Sequence, residues 1–302
     1  ALLASTIVVQ AQIAFIEGDL LRAERLLRRA VAVEPNAPDA RLALANALLA
    51  SSQTAPASIG EALQHLDRGM RSAPADVAMR SQRAWALYLL GRHDEAAAEW
   101  EAILAAEPAY APSLLNLGQL HAKAGRHAVA LDYYRRGMAV PRDSAFSGSF
   151  EGSYRATWLL KQAASAKAAG NMDEAVAALY QAIVLAPNDA EPRFQYGNTM
   201  LGLKRFDEAV AQLEAADLLL PGKPKHLAAL GYGLAQSGRL EEAEERLVAA
   251  TTGAPRYALA WFHLGNVKVQ RGDRDGARAC FERAIEVRPD FRAAREALDK
   301  VR

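Results

Sequence analysis

Small apolar residues recur along this chain at a fixed interval, and glycines and prolines bracket the segments that hold them. Alanine stands at Ala23, Ala62, Ala96, Ala175, Ala209, Ala243 and Ala277, and twelve residues after each comes a proline: Pro35, Pro74, Pro108, Pro187, Pro221, Pro255 and Pro289. Five residues before most of these alanines stands a glycine: Gly18, Gly91, Gly170, Gly238 and Gly272, with Lys204 in the place before Ala209. Ala130, preceded by Gly125, takes the same place in a segment whose proline, Pro141, comes one residue early. The last four prolines of the set are 34 residues apart, as are Pro74 and Pro108. Pro35 to Pro74 is 39, one period plus five, and Pro108 to Pro187 is 79, two periods plus eleven. A repeat of this length holds two helices. Glycine permits the left-handed backbone that ends the first. Proline stops the second, because it cannot continue the hydrogen-bond ladder.

The last repeat carries the fullest pattern: Trp261, Leu264, Gly265, Gly272, Ala277, Phe281, Ala284 and Pro289. Gly118, Gly197 and Gly231 repeat the small residue of its first helix. With these spacings the chain resembles the tetratricopeptide repeat family over nearly its whole length. The resemblance implies an all-α, right-handed superhelical solenoid of about eight helix-turn-helix hairpins plus a C-terminal capping helix. The hairpins are expected at 4–37, 38–76, 77–110 and 111–144, then at 156–189, 190–223, 224–257 and 258–291. They form an N-terminal array (1–144) and a C-terminal array (156–302), separated by an insertion at 145–155.

The two outermost helices differ. The last, 291–302, carries Arg292, Arg295, Glu296, Asp299, Lys300 and Arg302 on one side and Ala294, Leu298 and Val301 on the other, which suits a solvating cap. The first is apolar on several faces, with Leu2, Leu3, Ile7, Val8, Val9, Ile13, Phe15 and Ile16. Such a face is expected to be covered by upstream sequence, a second copy or a partner, or else to be buried largely by repeat packing. The first residue is Ala1, as in a piece of a longer chain or a mature form that has lost a leader.

The insertion is rich in Ser and Gly and holds Phe146, Phe150 and Tyr154, spaced four apart. It reads as a gate loop over the groove, a hinge between the arrays, or a long connection whose aromatics tuck onto the repeats. The shorter insertion, 51–58, reads as a simple loop, with Ser58 and Glu61 forming a capping box for the next helix.

Composition narrows the chemistry. The chain is 51% hydrophobic, much of it Ala, with a formal net charge of +1, so no basic surplus points to nucleic acid. No apolar run is long enough for a transmembrane segment. The abundance of Ala and Arg has a bacterial look. The compartment stays open: cytoplasmic or periplasmic, soluble or peripheral. Cys280 is the single cysteine and sits beside Phe281 as a packing residue, so no intrachain disulfide is expected. The six histidines form no zinc-protease pair, and Gly231 and Gly233 lack the lysine and strand of a phosphate loop. Arg22, Arg25 and Arg29 read as a solvated face. No catalytic residue, metal or cofactor is expected, and the chain is read as not an enzyme.

In the resembled family, first helices line the concave surface, and ligand contacts recur at fixed positions. The ninth position here holds Gln12, Asn46, Trp85, Gln119, Ala164, Asn198, Tyr232 and Asn266. The sixth adds Gln82, Asn116 and Gln195, and the twelfth and thirteenth add Tyr88, Lys123, Lys167, Gln236 and Gln270. A primary amide offers both donors and an acceptor, so it can hold an extended peptide backbone without reading side chains. The series resembles the asparagine ladder of the O-GlcNAc transferase repeat domain, interrupted at Trp85, Ala164 and Tyr232. The Lys and Asn set that clamps a C-terminal carboxylate in some co-chaperones is missing from every three consecutive repeats. The expected function is a protein-protein interaction scaffold with a protein or peptide in its groove, as a subunit of a larger assembly. The alternatives are the repeat portion or accessory subunit of a larger enzyme, O-GlcNAc-transferase-like or a sulfotransferase, and an envelope factor for cytochrome maturation or polysaccharide export.

Overall fold

The structure is a computed structural model that describes residues 2–51, 55–140 and 151–301. Among them stand seventeen α-helices and no strand. Two compact units divide the chain, Ala1–Ser144 and Ala145–Arg302. Unit 1 holds α1 (Leu2–Ile16), α2 (Leu20–Val33), α3 (Pro38–Ser51), α4 (Pro56–Ser72), α5 (Val77–Leu89), α6 (His93–Ala106), α7 (Ala111–Lys123) and α8 (His127–Met138). Unit 2 holds α9 (Glu151–Ala168), α10 (Met172–Leu185), α11 (Ala190–Gly202), α12 (Phe206–Leu219), α13 (Pro224–Gln236), α14 (Leu240–Gly253), α15 (Ala258–Gln270), α16 (Arg274–Val287) and α17 (Arg292–Val301).

The punctuation residues act as their chemistry requires. Lys204, at φ 59°, has the left-handed backbone that glycine supplies at the equivalent turns, such as Gly238 at φ 81°. Each second helix that precedes a repeat proline ends two residues before it, as α14 ends at Gly253 before Pro255. The eight alanines of the repeat, from Ala23 to Ala277, are all fully buried.

Close approach within a hairpin depends on one small residue of its first helix facing one large residue of its second. A Cβ built on Gly231 would lie 2.6 Å from Leu247 Cγ, and one on Gly197 would lie 2.6 Å from Leu213 Cγ. Gly118 meets the Tyr134 ring and Gly265 the Phe281 ring in the same way. At the same register Ala11, Ala45, Ala84 and Ala163 are buried. Glycine therefore stands where the opposing side chain leaves no room for a methyl group.

Within each unit successive hairpins stack in chain order, each second helix touching the next first helix, as α12 touches α13 and α14 touches α15. First helices also touch each other: α1 with α3, α3 with α5 and α5 with α7 in unit 1, α9 with α11, α11 with α13 and α13 with α15 in unit 2. Among the described residues the second helices make no such mutual contact. Within each unit the first helices thus form the tighter, inner layer.

Several expectations need correction or placement. Helix α4 starts at Pro56 with Ala55 as its N-cap and no side-chain cap, so Ser58 lies inside the helix and forms no capping box. Proline at the first helical position, with φ already set, makes that start without a cap. Helix α9 starts at Glu151, so 151–155 are helical rather than part of a loop. Phe146 and Phe150 lie outside the described residues. Tyr154 falls in α9, with its side chain outside the description.

Helix α1 buries Ala4, Ile7, Ala11 and Ala14 and leaves Leu3, Val9, Ile13, Phe15 and Ile16 exposed, the last at 85%. Helix α17 buries Ala294, Leu298 and Val301 and turns its charges outward. Cys280 is buried, and burial pushes its thiol up to about 11, which fits packing and not nucleophilic chemistry.

Candidate functional site

The inner layer presents the residues singled out by repeat position. In unit 1 these are Asn46 on α3, Trp85 and Tyr88 on α5, and Asn116, Gln119 and Lys123 on α7. In unit 2 they are Asn198 on α11, Tyr232 and Gln236 on α13, and Asn266 and Gln270 on α15. Asn46, Lys123, Gln236 and Gln270 are exposed, and Trp85, Asn116, Gln119, Asn198, Tyr232 and Asn266 are half-buried. The carboxamides Asn46, Asn116, Gln119, Asn198 and Asn266 make no side-chain hydrogen bond among the described residues. Gln195 differs: its Nε2 donates to Glu191 Oε1 at 2.7 Å.

Tyr88 is more enclosed than an anchor residue would be, at 8% exposed. Its ring stacks on Trp85 with centroids 5.2 Å apart and meets His93 at 4.9 Å and Trp100 at 6.1 Å. Lys123 Nζ lies 5.0 Å from the Tyr88 ring centroid. These side chains make a cluster in which the ring face already has its cation. Tyr232, by contrast, keeps an accessible side and packs against His263 at 4.7 Å. Lys167, at the same repeat position as Tyr88, donates to Thr199 Oγ1 at 3.4 Å, and burial holds its ammonium below the ordinary lysine range.

Polar groups between hairpins were not legible by repeat position. Arg41 is buried, with its Nε donating to Pro35 O at 2.6 Å and its Nη1 3.1 Å from His65 Nδ1. Burial and the neighbouring Arg41 charge hold His65 below the ordinary histidine range. In unit 2, Lys268 donates to Glu244 at 3.0 Å and to Asp273 at 2.8 Å, while Arg271 also reaches Glu244. Those bonds hold the Glu244 carboxyl below its usual range.

A depression of about 710 Å³ in unit 2 also escaped the repeat-based survey. Phe194, His226 and Tyr257 line it together with Lys223, Lys225 and Arg256. It lies at the N-terminal ends of α11 and α13 and at the turn into α15, and it includes Gln195, the sixth-position residue named above, with Phe194 and Lys225 at the fifth and second repeat positions. Among the described residues no group of three His, Cys, Asp or Glu side chains is placed to hold a metal ion. Among the same residues no helix is long and apolar enough to cross a membrane.

Tetratricopeptide repeat family models match residues 14–59, 81–139, 166–231 and 234–301. The mouse protein O-mannosyl-transferase TMTC1 is 35% identical over 71 residues, which is 24% of this chain and 8% of that protein. The crystal structure of the APC/C hetero-tetramer Cut9-Hcn1 aligns over 98% of this chain and 55% of its own, with a TM-score of 0.63 and 13% identity. YrrB, described as a TPR protein with an unusual peptide-binding site, aligns over 66% of this chain and 97% of its own, with a TM-score of 0.53 and 20% identity. A MamA structure from Desulfovibrio magneticus RS-1 covers 60% of this chain and 97% of its own, with a TM-score of 0.52 and 20% identity. At these identities the likeness to the solved structures is one of fold. The chain spans less than a tenth of the mouse protein and about half of the Cut9-Hcn1 chain. With matching models over most of its length, the chain belongs to the tetratricopeptide repeat family.

Proposed function

We propose that this chain is a non-catalytic scaffold that holds an extended peptide or a partner protein against the inner layer of first helices, as a subunit of a larger assembly. The observation that carries this reading is the set of carboxamides on that layer without internal partners. Asn198 and Asn266 flank Tyr232 on successive first helices of unit 2, two main-chain-reading groups with an aromatic between them. Each amide contact contributes about 1 kcal/mol net, while ordering a flexible peptide costs several kcal/mol. Affinity on amides alone is therefore modest, and Tyr232 is the residue suited to anchor a side chain. The likeness in fold to YrrB agrees with this use of the scaffold.

The test is affinity capture by the full chain followed by mass spectrometry, comparing the wild type with Asn198→Ala/Asn266→Ala. Loss of both contacts weakens binding of a groove ligand about 30-fold, with helicity and melting temperature unchanged. Equal capture by the double variant would remove the carboxamide face from the proposal. A second reading, the repeat portion of a larger enzyme, is favoured by the match to the O-mannosyl-transferase. The complete coding frame decides it: a catalytic domain beside the array supports this reading, and flanks without one count against it.

A further inference from the structure

The depression lined by Phe194, His226 and Tyr257 has a chemical character unlike the rest of the inner layer. Its wall is a stacked pair, Phe194 against His226, with ring centroids 4.2 Å apart and planes inclined by 26°. Exposed Leu220 adds apolar surface at the rim. Lys223, Lys225 and Arg256 are exposed around it and make no ion pair among the described residues. One acid, Glu191, lines the depression with these three cations and accepts the Gln195 amide at 2.7 Å. Asp217 lies 3.7 Å from Arg246 and accepts the Gly222 N–H at 3.1 Å. The cations are thus left in excess.

Two further observations point to a ligand. His226 is 6% exposed and lines the depression, and its Nδ1 has no hydrogen-bond partner. A buried polar atom without a partner keeps the cost of its lost hydration, so it marks a place where a missing group belongs. The helix starts here are also open. Helix α11 is capped by Asp189, which accepts the Glu191 N–H, but the N-cap residues of α13 and α15, Lys223 and Tyr257, give no side-chain cap. Their first-turn N–H groups and positive dipole ends favour a negative ligand.

We propose that this depression is a docking site for an acidic peptide segment, one that places carboxylate side chains against Lys223, Lys225 and Arg256 and an adjacent aromatic or aliphatic side chain on the Phe194–His226 wall. Charge complementarity selects the acid, and the apolar wall and rim select its neighbour. Burial holds His226 below the ordinary histidine range, so at neutral pH it serves as an uncharged hydrogen-bonding ring. The site shares no residue with Asn198, Tyr232 or Asn266 and stands even if the carboxamide face binds nothing.

The test uses fluorescence anisotropy with the full chain and a fluorescein-labelled peptide of sequence Glu-Phe-Glu-Glu-Leu, beside a counterpart with every Glu replaced by Gln. The acidic peptide is expected to bind at least about tenfold more tightly than its amide counterpart. Lys223→Glu/Lys225→Glu/Arg256→Glu lowers that affinity by about tenfold or more with unchanged circular dichroism. The milder triple replacement by Gln guards against any loss of fold. His226→Phe keeps the stack, removes the ring nitrogens and weakens binding about threefold. Asn198→Ala/Asn266→Ala leaves this binding unchanged. The assignment is overturned if the acidic peptide does not bind, if both peptides bind equally, or if the triple variants bind like the wild type. It is also overturned if inorganic phosphate displaces the peptide at no more than the peptide's own concentration, because the site then takes a free anion.

Discussion

In unit 1 the large aromatic groups of the inner layer are engaged with one another: Trp85 stacks on Tyr88, and Lys123 covers the Tyr88 ring. In unit 2 the corresponding layer holds Asn198, Tyr232 and Asn266, with both amides lacking internal partners, and beside it lies a cationic depression with a buried, unpaired His226 nitrogen. The same repeat positions therefore serve two ends. Where a position carries an aromatic that its neighbours can enclose, it stabilises the hairpin. Where it carries a polar group that the hairpins do not satisfy, it remains open to a ligand. A repeat position names a place on the surface, and the neighbouring side chains decide whether that place is still free.

The sharpest way to break this contrast is Tyr88→Ala. If the unit 1 cluster is structural, the loss costs about 3 kcal/mol in equilibrium unfolding. A cost under about 1 kcal/mol would return Tyr88 to the class of available groove residues. Next comes the shared packing rule. Ala243→Leu in unit 2 and Ala96→Leu in unit 1 should each cost about 1–3 kcal/mol, because both alanines are fully buried. An unchanged melting temperature in one of them would show that the two units do not share one register.

Acidification probes unit 2 more selectively. His263 packs against Tyr232 and Phe262, and burial pushes its imidazole down to about 4. The unfolded chain takes up this proton near pH 6.5 and the folded one only near pH 4. The contribution is therefore full above about pH 6.5, is lost as pH falls toward about 4, and is flat below that, on the order of 3 kcal/mol in all. Denaturant unfolding at both ends of that range checks it, and His263→Phe should flatten the profile. The smallest effect concerns the turn before α12. Lys204→Gly relieves a left-handed non-glycine backbone and should stabilise by about 0.5 kcal/mol, measured as a small rise in melting temperature.

The architecture was legible because each of its rules leaves a residue of fixed type at a fixed interval. A left-handed turn asks for glycine, a helix stop for proline, a crowded crossing for alanine or glycine, and all three recur in phase from Gly18 to Pro289. Helix starts were less legible. Ser58 with Glu61 has the composition of a capping box, yet Pro56 starts α4 earlier, because a preset φ competes with a cap. The repeat pattern brought the carboxamides to one layer, but it could not show that Tyr88 is enclosed, since its partners come from α6 and α7 as well as its own helix. The depression around His226 escaped for a related reason. Lys223 and Arg256 come from turns, where the repeat allows almost any side chain and no periodic signal marks them, and Phe194 and Lys225, though at the fifth and second repeat positions, carry no carboxamide to single them out.

The contacts between first helices set how each unit comes apart. Each helix reaches only its immediate neighbours and the next helix of its own layer, so stability is close to a sum of short-range couplings. A hairpin can then open while a more distant one stays intact, and hydrogen exchange should vary along the array. A peptide lying across α11, α13 and α15 would add a link that spans three hairpins at once, a kind of bond absent among the described residues. Its binding would be felt less as added affinity at any single residue than as a change in cooperativity, with those hairpins unfolding as a block.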